Sequence, residues 1–148
     1  KQTTIGHSYN DLKKPEARTM ESISIKSKAR TELIDITGQI QQTIASAGVN
    51  DGLAFIYVPH TTAGLTINEG ADPAVRRDII SVLNEIVPWE YDYHHLEGNS
   101  PAHIKSSLVG SGIQVIFEDR QLCLGTWQKI FFCEFDGPRN RKAWIKFL

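Results

Sequence analysis

Apolar and polar positions divide the chain into short strand-like and helix-like stretches. From Glu21, the run Ser22-Ile23-Ser24-Ile25-Lys26 alternates polar and apolar residues, the pattern of a half-buried strand. Residues 32–36 form a second extended piece and lead to Thr37, a candidate helix cap. Behind it Ile40, Ile44 and Ala47 recur at helical spacing until Gly48, which predicts a helix over 38–47. Residues 53–58 are continuously apolar and end at Pro59, so they read as a strand buried on both faces. Leu65 and Ile67 alternate in a further strand that ends at Asn68-Glu69-Gly70.

Asp72-Pro73 carries a helix start, a capping oxygen followed by a proline whose missing N–H costs nothing at that position. Val75, Ile79, Val82, Leu83 and Ile86 then mark one apolar face, predicting a helix over 73–87. Residues 89–99 form a polar and aromatic loop without a period. Ser100-Pro101 repeats the cap-and-proline device for a helix over 101–108, closed by Gly110. The remainder reads as strands over 113–117, 121–124, 127–135 and 143–148, with turns at Asp119-Arg120 and Gly137-Pro138. Two or three helices among about seven strands predict antiparallel sheets, because a parallel sheet would alternate strand and helix throughout.

Composition narrows the class. The chain has 148 residues with 16 basic and 17 acidic side chains, net −1, so no global basic field invites nucleic acid. The length fits one domain. No apolar run approaches the roughly 20 residues of a membrane span, and no apolar leader opens the chain, so the location expected is cytoplasmic, with no membrane partner. Residues 1–30 hold seven basic and three acidic groups, and residues 1–19 lack any sustained apolar period. They are set aside as a leader or tag-derived arm, with a native arm as the alternative, and residues 20–148 are taken as the single domain. Cys123 and Cys133 lie in apolar strand runs and read as core thiols, and Trp127 and Trp144 read as packing residues.

Three segments gather polar groups that a plain core does not need. His60-Thr61-Thr62 sits at the exit of an apolar strand, where a rigid element presents side chains accurately. His94, His95 and His103 flank the start of a helix and, with His60, offer two or three metal ligands, although the spacing matches no HExxH or zinc-finger pattern. Arg139 and Arg141 beside Gly137 offer a bidentate phosphate clamp, and Asp136 offers Arg139 a purely structural partner instead.

His60-Thr61-Thr62-Ala63, Asn68-Glu69, Glu97-Gly98-Asn99, Ala102-His103-Ile104-Lys105, Leu124-Gly125-Thr126-Trp127-Gln128 and Glu134-Phe135-Asp136-Gly137-Pro138-Arg139 together resemble the YjbQ-like family, described as secondary thiamine-phosphate synthases. The resemblance runs in order from about Glu21 to Leu148. It implies a mainly β subunit, an antiparallel β-sandwich with flanking helices, assembling as a homotrimer, and its histidines fall on His60, His95 and His103. His94 stands where members vary. The activity implied joins a pyrimidine diphosphate to a thiazole phosphate and releases pyrophosphate.

For that reaction the expected catalytic residues are His60, Glu69 and His103. Thr61, Thr62, Asn99, Lys105, Gln128, Arg139 and Arg141 are expected to bind a small phosphorylated substrate, and His60, His95 and His103 to hold a divalent metal, zinc or magnesium. Two other functions suit the same residues. One is a hydrolase in which a three-histidine metal activates water with Glu69 as base. The other is a trimeric anion- or small-molecule-binding protein without catalysis.

Overall fold

The computed structural model describes residues 20–148, and the expected leader, residues 1–19, lies outside the described residues. The elements run β1 (Glu21–Lys26), β2 (Glu32–Asp35), α1 (Thr37–Ser46), β3 (Gly52–Tyr57), β4 (Ala63–Glu69), α2 (Pro73–Ile86), α3 (Ser100–Val109), β5 (Gly112–Glu118), β6 (Gln121–Leu122), β7 (Gln128–Glu134) and β8 (Asn140–Phe147). A five-stranded sheet has the order β1-β8-β3-β5-β6 and a three-stranded sheet the order β2-β7-β4, with every pairing antiparallel. The antiparallel β fold with two or three helices expected from the sequence is the one the chain adopts, with three helices among the described residues.

The inward residues of the large sheet, Ile23 and Ile25 of β1, Ile56 of β3, Phe117 of β5 and Ile145 of β8 among them, meet Leu65, Ile130 and Phe132 of the small sheet in one core. Ile40 and Ile44 of α1 are wholly buried in it. Each such side chain contributes roughly 1.5–3 kcal/mol on leaving water. A second cluster lies on the other side of the small sheet, where Phe131, Cys133 and Phe135 pack with Ala102 of α3 and partly with Ile79, Ile80 and Leu83 of α2.

The strand buried on both faces is therefore β7, not β3. In β3 Leu53 and Tyr57 are exposed because, among the described residues, no helix packs on their face of the large sheet, whereas α2 and α3 cover the small sheet. Two expected caps also differ. Thr37 is the first helical residue, and its Oγ1 accepts from the Ile130 N–H at 2.8 Å while Asp35 Oδ1 accepts the Thr37 N–H at 2.9 Å. Ser100 is likewise inside α3, whose N-cap Asn99 makes no capping bond with its side chain. Asp72 does cap α2, accepting from the Ala74 N–H at 2.8 Å. No residue of α2 is fully buried, and Val82 and Ile86 on its apolar face are more than half exposed.

Cys133 is buried, and burial pushes its thiol up to about 12. Cys123 and Trp127 are exposed, against the expectation of core packing, because both lie beyond the strand residues that the sandwich covers. Gly64 is required by contact: a Cβ there would stand 2.6 Å from the Gly110 carbonyl, so β4 approaches the end of α3 only without a side chain at that position. Among the described residues no helix is long and apolar enough to cross a membrane.

Candidate functional site

The turn between β3 and β4 carries His60, Thr61 and Thr62 and rests on a buried ion pair. Arg141 on β8 donates Nε to Glu134 Oε2 at 2.8 Å and Nη2 to Glu134 Oε1 at 2.6 Å, and Nη2 also reaches Thr62 Oγ1 at 2.7 Å. Ser27 Oγ and the Asp136 N–H each donate to the same carboxylate at 2.9 Å. Burial by itself raises the Glu134 pKa, and the bonds from Arg141, the Asp136 backbone and Ser27 outweigh it, holding the carboxyl below its usual range. Gly137 closes this corner, since a Cβ there would run into the Ala29 carbonyl and lie 2.7 Å from Ser27 Oγ.

His60 stands above the pair. Its Nε2 accepts the Lys142 backbone N–H at 3.0 Å. Burial first, and the nearby Arg141 charge second, lower its pKa, so the neutral ring is favoured. A neutral ring that accepts at Nε2 carries its proton on Nδ1 and presents a donor there. The turn is stitched to α3, because Ser106 Oγ donates to the Thr61 carbonyl at 2.6 Å, with the His103 carbonyl within 2.9 Å. His60, Thr61, His103 and Ser107 thereby share a cleft of about 700 Å³ walled by Tyr57 and Trp144, whose rings lie 5.9 Å apart. Among the described residues no carboxylate lines it.

His103 also borders a second hollow of about 360 Å³ with His95 and Tyr93. The His95 and His103 rings lie 5.5 Å apart and nearly perpendicular, and His95 Nε2 is 3.7 Å from Glu97 Oε2 at the surface. His103 is thus the shared member of two pairs, His60–His103 and His95–His103. Among the described residues no group of three or more His, Cys, Asp and Glu side chains is gathered as a metal would need. With the Lys142 N–H on its one lone pair, His60 does not fit the ligand set expected from the sequence within a single chain.

The other expected residues divide. Thr61 lines the cleft and Thr62 is bonded to Arg141. Arg139 takes the structural alternative, donating to the Asp136 carbonyl at 2.6 Å and to its carboxylate at 2.7 Å. Asn99 donates to the same carboxylate at 3.0 Å, and its Oδ1 is buried without a partner. Lys105 is wholly buried, its Nζ 2.5 Å from Asn84 Oδ1 and 4.5 Å from the centroid of Trp89, over which the Arg30 guanidinium also lies. Burial first and Arg30 second lower its pKa. Covered in this way, it does not line the cleft with the histidines.

Glu69 and Gln128 lie at the opposite end of β4 and β7, paired with each other in register. Ala63–Glu69 at ~3.3 Å per residue spans about 20 Å, so Glu69 does not reach the imidazoles of its own chain. The partner that sequence reasoning missed is Glu134. Its signal was a lone carboxylate closing the apolar run Ile130-Phe131-Phe132-Cys133, which a buried strand tolerates only with a cation.

Residues 21–148 match the family model described as UPF0047 protein YjbQ-like. The chain is 56% identical over 124 residues to a UPF0047 protein of Methanocaldococcus jannaschii, covering 84% of this chain and 90% of that one. It is 49% identical over 130 residues to the UPF0047 protein YugU of Bacillus subtilis, covering 87% and 98%. A crystal structure of an uncharacterized conserved protein of the YjbQ/UPF0047 family from Clostridium acetobutylicum superposes with a TM-score of 0.84 at 51% identity, covering 86% of this chain and 99% of that one.

Proposed function

The chain belongs to the YjbQ-like family, and from its donor-lined cleft we propose that it binds a small phosphorylated aromatic compound there and carries weak thiamine-phosphate-synthase-type activity. The observation that carries this reading is His60, fixed by the Lys142 N–H so that its other nitrogen is a donor, in a cleft with His103, an aromatic wall and, among the described residues, no carboxylate. Donors without an opposing carboxylate suit an anion, and the Tyr57–Trp144 wall suits a flat ring. In the coupling reaction negative charge collects on the departing diphosphate, where N–H donors fixed in advance act without reorganising. Holding two substrates together supplies a further part of the barrier reduction.

The chemistry itself rests on the resemblance, and the cleft supports it by its shape and donor set. The test is pyrophosphate release from a pyrimidine diphosphate and a thiazole phosphate, with phosphate binding followed by NMR. His60→Ala and His103→Ala should each lower the rate by roughly 10²-fold or more while the fold stays intact. Unchanged rates in both variants, or no binding of phosphate or the thiazole phosphate, would overturn the proposal. Phosphate binding with no pyrophosphate release would leave the non-catalytic anion-binding function and remove the transferase.

A further inference from the structure

The cleft with His60 and His103 has donors along its walls but, among the described residues that line it, no lysine or arginine. The cations expected there from the sequence are committed elsewhere. Arg141 is bonded to Glu134 and Thr62, Arg139 to Asp136, and Lys105 is buried against Asn84. His60 is favoured neutral, since burial and then the Arg141 charge lower its pKa. A phosphate ester carries roughly −1.5 to −2 of charge at neutral pH. Neutral donors alone leave that charge without a counterpart when it leaves water.

Lys142 is placed to supply the counterpart. The ladder between β3 and β8 ends at Tyr57 and Trp144, and the chain then leaves the strand at Pro59. The Lys142 N–H lies beyond the last rung, and His60 Nε2 accepts it at 3.0 Å. Side chains alternate along β8, so Arg141 points into the buried ion pair while Lys142 and Trp144 share the outer face. The Lys142 ammonium lies 5.5 Å from the centroid of the Trp144 ring, and that residue walls the cleft. After burial and Arg141, the Lys142 charge is a further cause that lowers the His60 pKa.

The Lys142 side chain is exposed, and among the described residues it makes no ion pair. An exposed cation over a ring is held weakly, whereas an ammonium beside a phosphate makes a charge-assisted bond. A four-carbon stem lets the ammonium move while the backbone N–H keeps its hold on His60.

We propose that Lys142 is the charge-bearing residue of this cleft: its ammonium leaves the Trp144 ring for the ligand's phosphate, and the ligand's flat ring takes the place it vacates. One residue then fixes the His60 donor through its backbone and grips the phosphate through its side chain. The ring site opens when a phosphate draws the ammonium away, so the cleft selects a phosphorylated ring over the same ring with a free hydroxyl. This deepens the proposed function and rests on its anion-binding cleft.

The test is NMR titration of the full chain with the thiazole phosphate and with the same thiazole bearing a free hydroxyl. Lys142→Gln should weaken the phosphate ester roughly fivefold or more and leave the alcohol bound no more weakly than before. Lys142→Arg should restore most of the loss. Imidazole nitrogen shifts should show His60 in the same tautomer in all three proteins. Lys129→Gln makes the same charge change at the far end of the β4–β7 pair and should alter neither affinity. In the wild type the Lys142 ε-methylene should move downfield, out of the Trp144 ring current, with the ester and stay in place with the alcohol. Equal affinity of wild type and Lys142→Gln for the ester would overturn the inference and leave the anion cleft standing. Equal weakening of ester and alcohol, or a changed His60 tautomer, would also overturn it by showing a structural role. An equal loss in Lys129→Gln would overturn it by showing an effect of net charge alone. No binding of the ester to the wild type would overturn the inference and the anion reading together.

Discussion

The two ends of the β4–β7 pair solve opposite problems. At the Ala63 end Glu134, Arg141, Thr62 and Ser27 bond one another out of reach of water, and the turn carrying His60 is built on that raft. At the Glu69 end the polar side chains stand at the surface and backbone bonds hold the loop, with Gln128 as a side-chain brace. The first end spends its ionic groups on fixing a turn, and the second leaves them open for contact. A charged residue in a motif is therefore a site residue or a scaffold residue according to its burial, which a motif does not show.

The sharpest way to break this contrast is to remove one carboxylate at each end. Glu134→Ala should cost about 3–5 kcal/mol, because it leaves the Arg141 guanidinium buried and unpaired. Glu69→Ala should stay within about 0.5 kcal/mol, as for surface positions. Urea denaturation of the two variants decides it, and equal costs would dissolve the distinction.

Lys105 sharpens the contrast in another way, as a buried cation facing an amide and a ring instead of a carboxylate. Lys105→Met should be neutral or stabilising, up to roughly 1–4 kcal/mol, since the desolvated charge goes. Its folded pKa lies below 10.5, so the unfolded chain holds the proton more tightly between the two values. Wild-type stability should accordingly gain a contribution as pH rises through the folded value toward 10.5, and the methionine variant should lack it. Denaturant midpoints against pH measure this.

At the other end Gln128→Ala removes the side-chain acceptor for the Gly125 N–H and should cost about 1 kcal/mol. A loss as large as that of Glu134→Ala would mean the loop is part of the core.

The smallest effect concerns His60. Its folded pKa is below 6.5, so its contribution to stability is present above 6.5 and is lost as pH falls through the folded value. Glu134, held below 4.5, contributes above 4.5 and loses that contribution at still lower pH. Acid titration of the denaturation midpoint should show a shallow step below pH 6.5 and a deeper one below pH 4.5, and His60→Gln should erase only the first.

Much of this was legible beforehand. Alternation in Ser22–Lys26, the period of Ile40 and Ile44, and Asp72-Pro73 each report local geometry, and the structure forms an element at each. The burial of β3 differs from the expectation because an apolar run shows that a strand is apolar, not whether a helix covers its second face. Arg139 was open between clamp and brace, and only the position of Asp136 chose the brace. Lys105 stood in a motif beside His103, yet half a turn of helix separates their directions, and one is buried while the other borders the cleft.

The sequence by itself determined the antiparallel β class, the positions of the helical stretches and the histidine-bearing segments, because periodicity and turn chemistry act over a few residues. Only the tertiary structure decided that Arg141 is spent on Glu134, that His60 accepts from Lys142, and that Glu69 lies about 20 Å of strand from Ala63. Those outcomes depend on which strands become neighbours and in what register, and a shift of one residue turns every side chain to the other face.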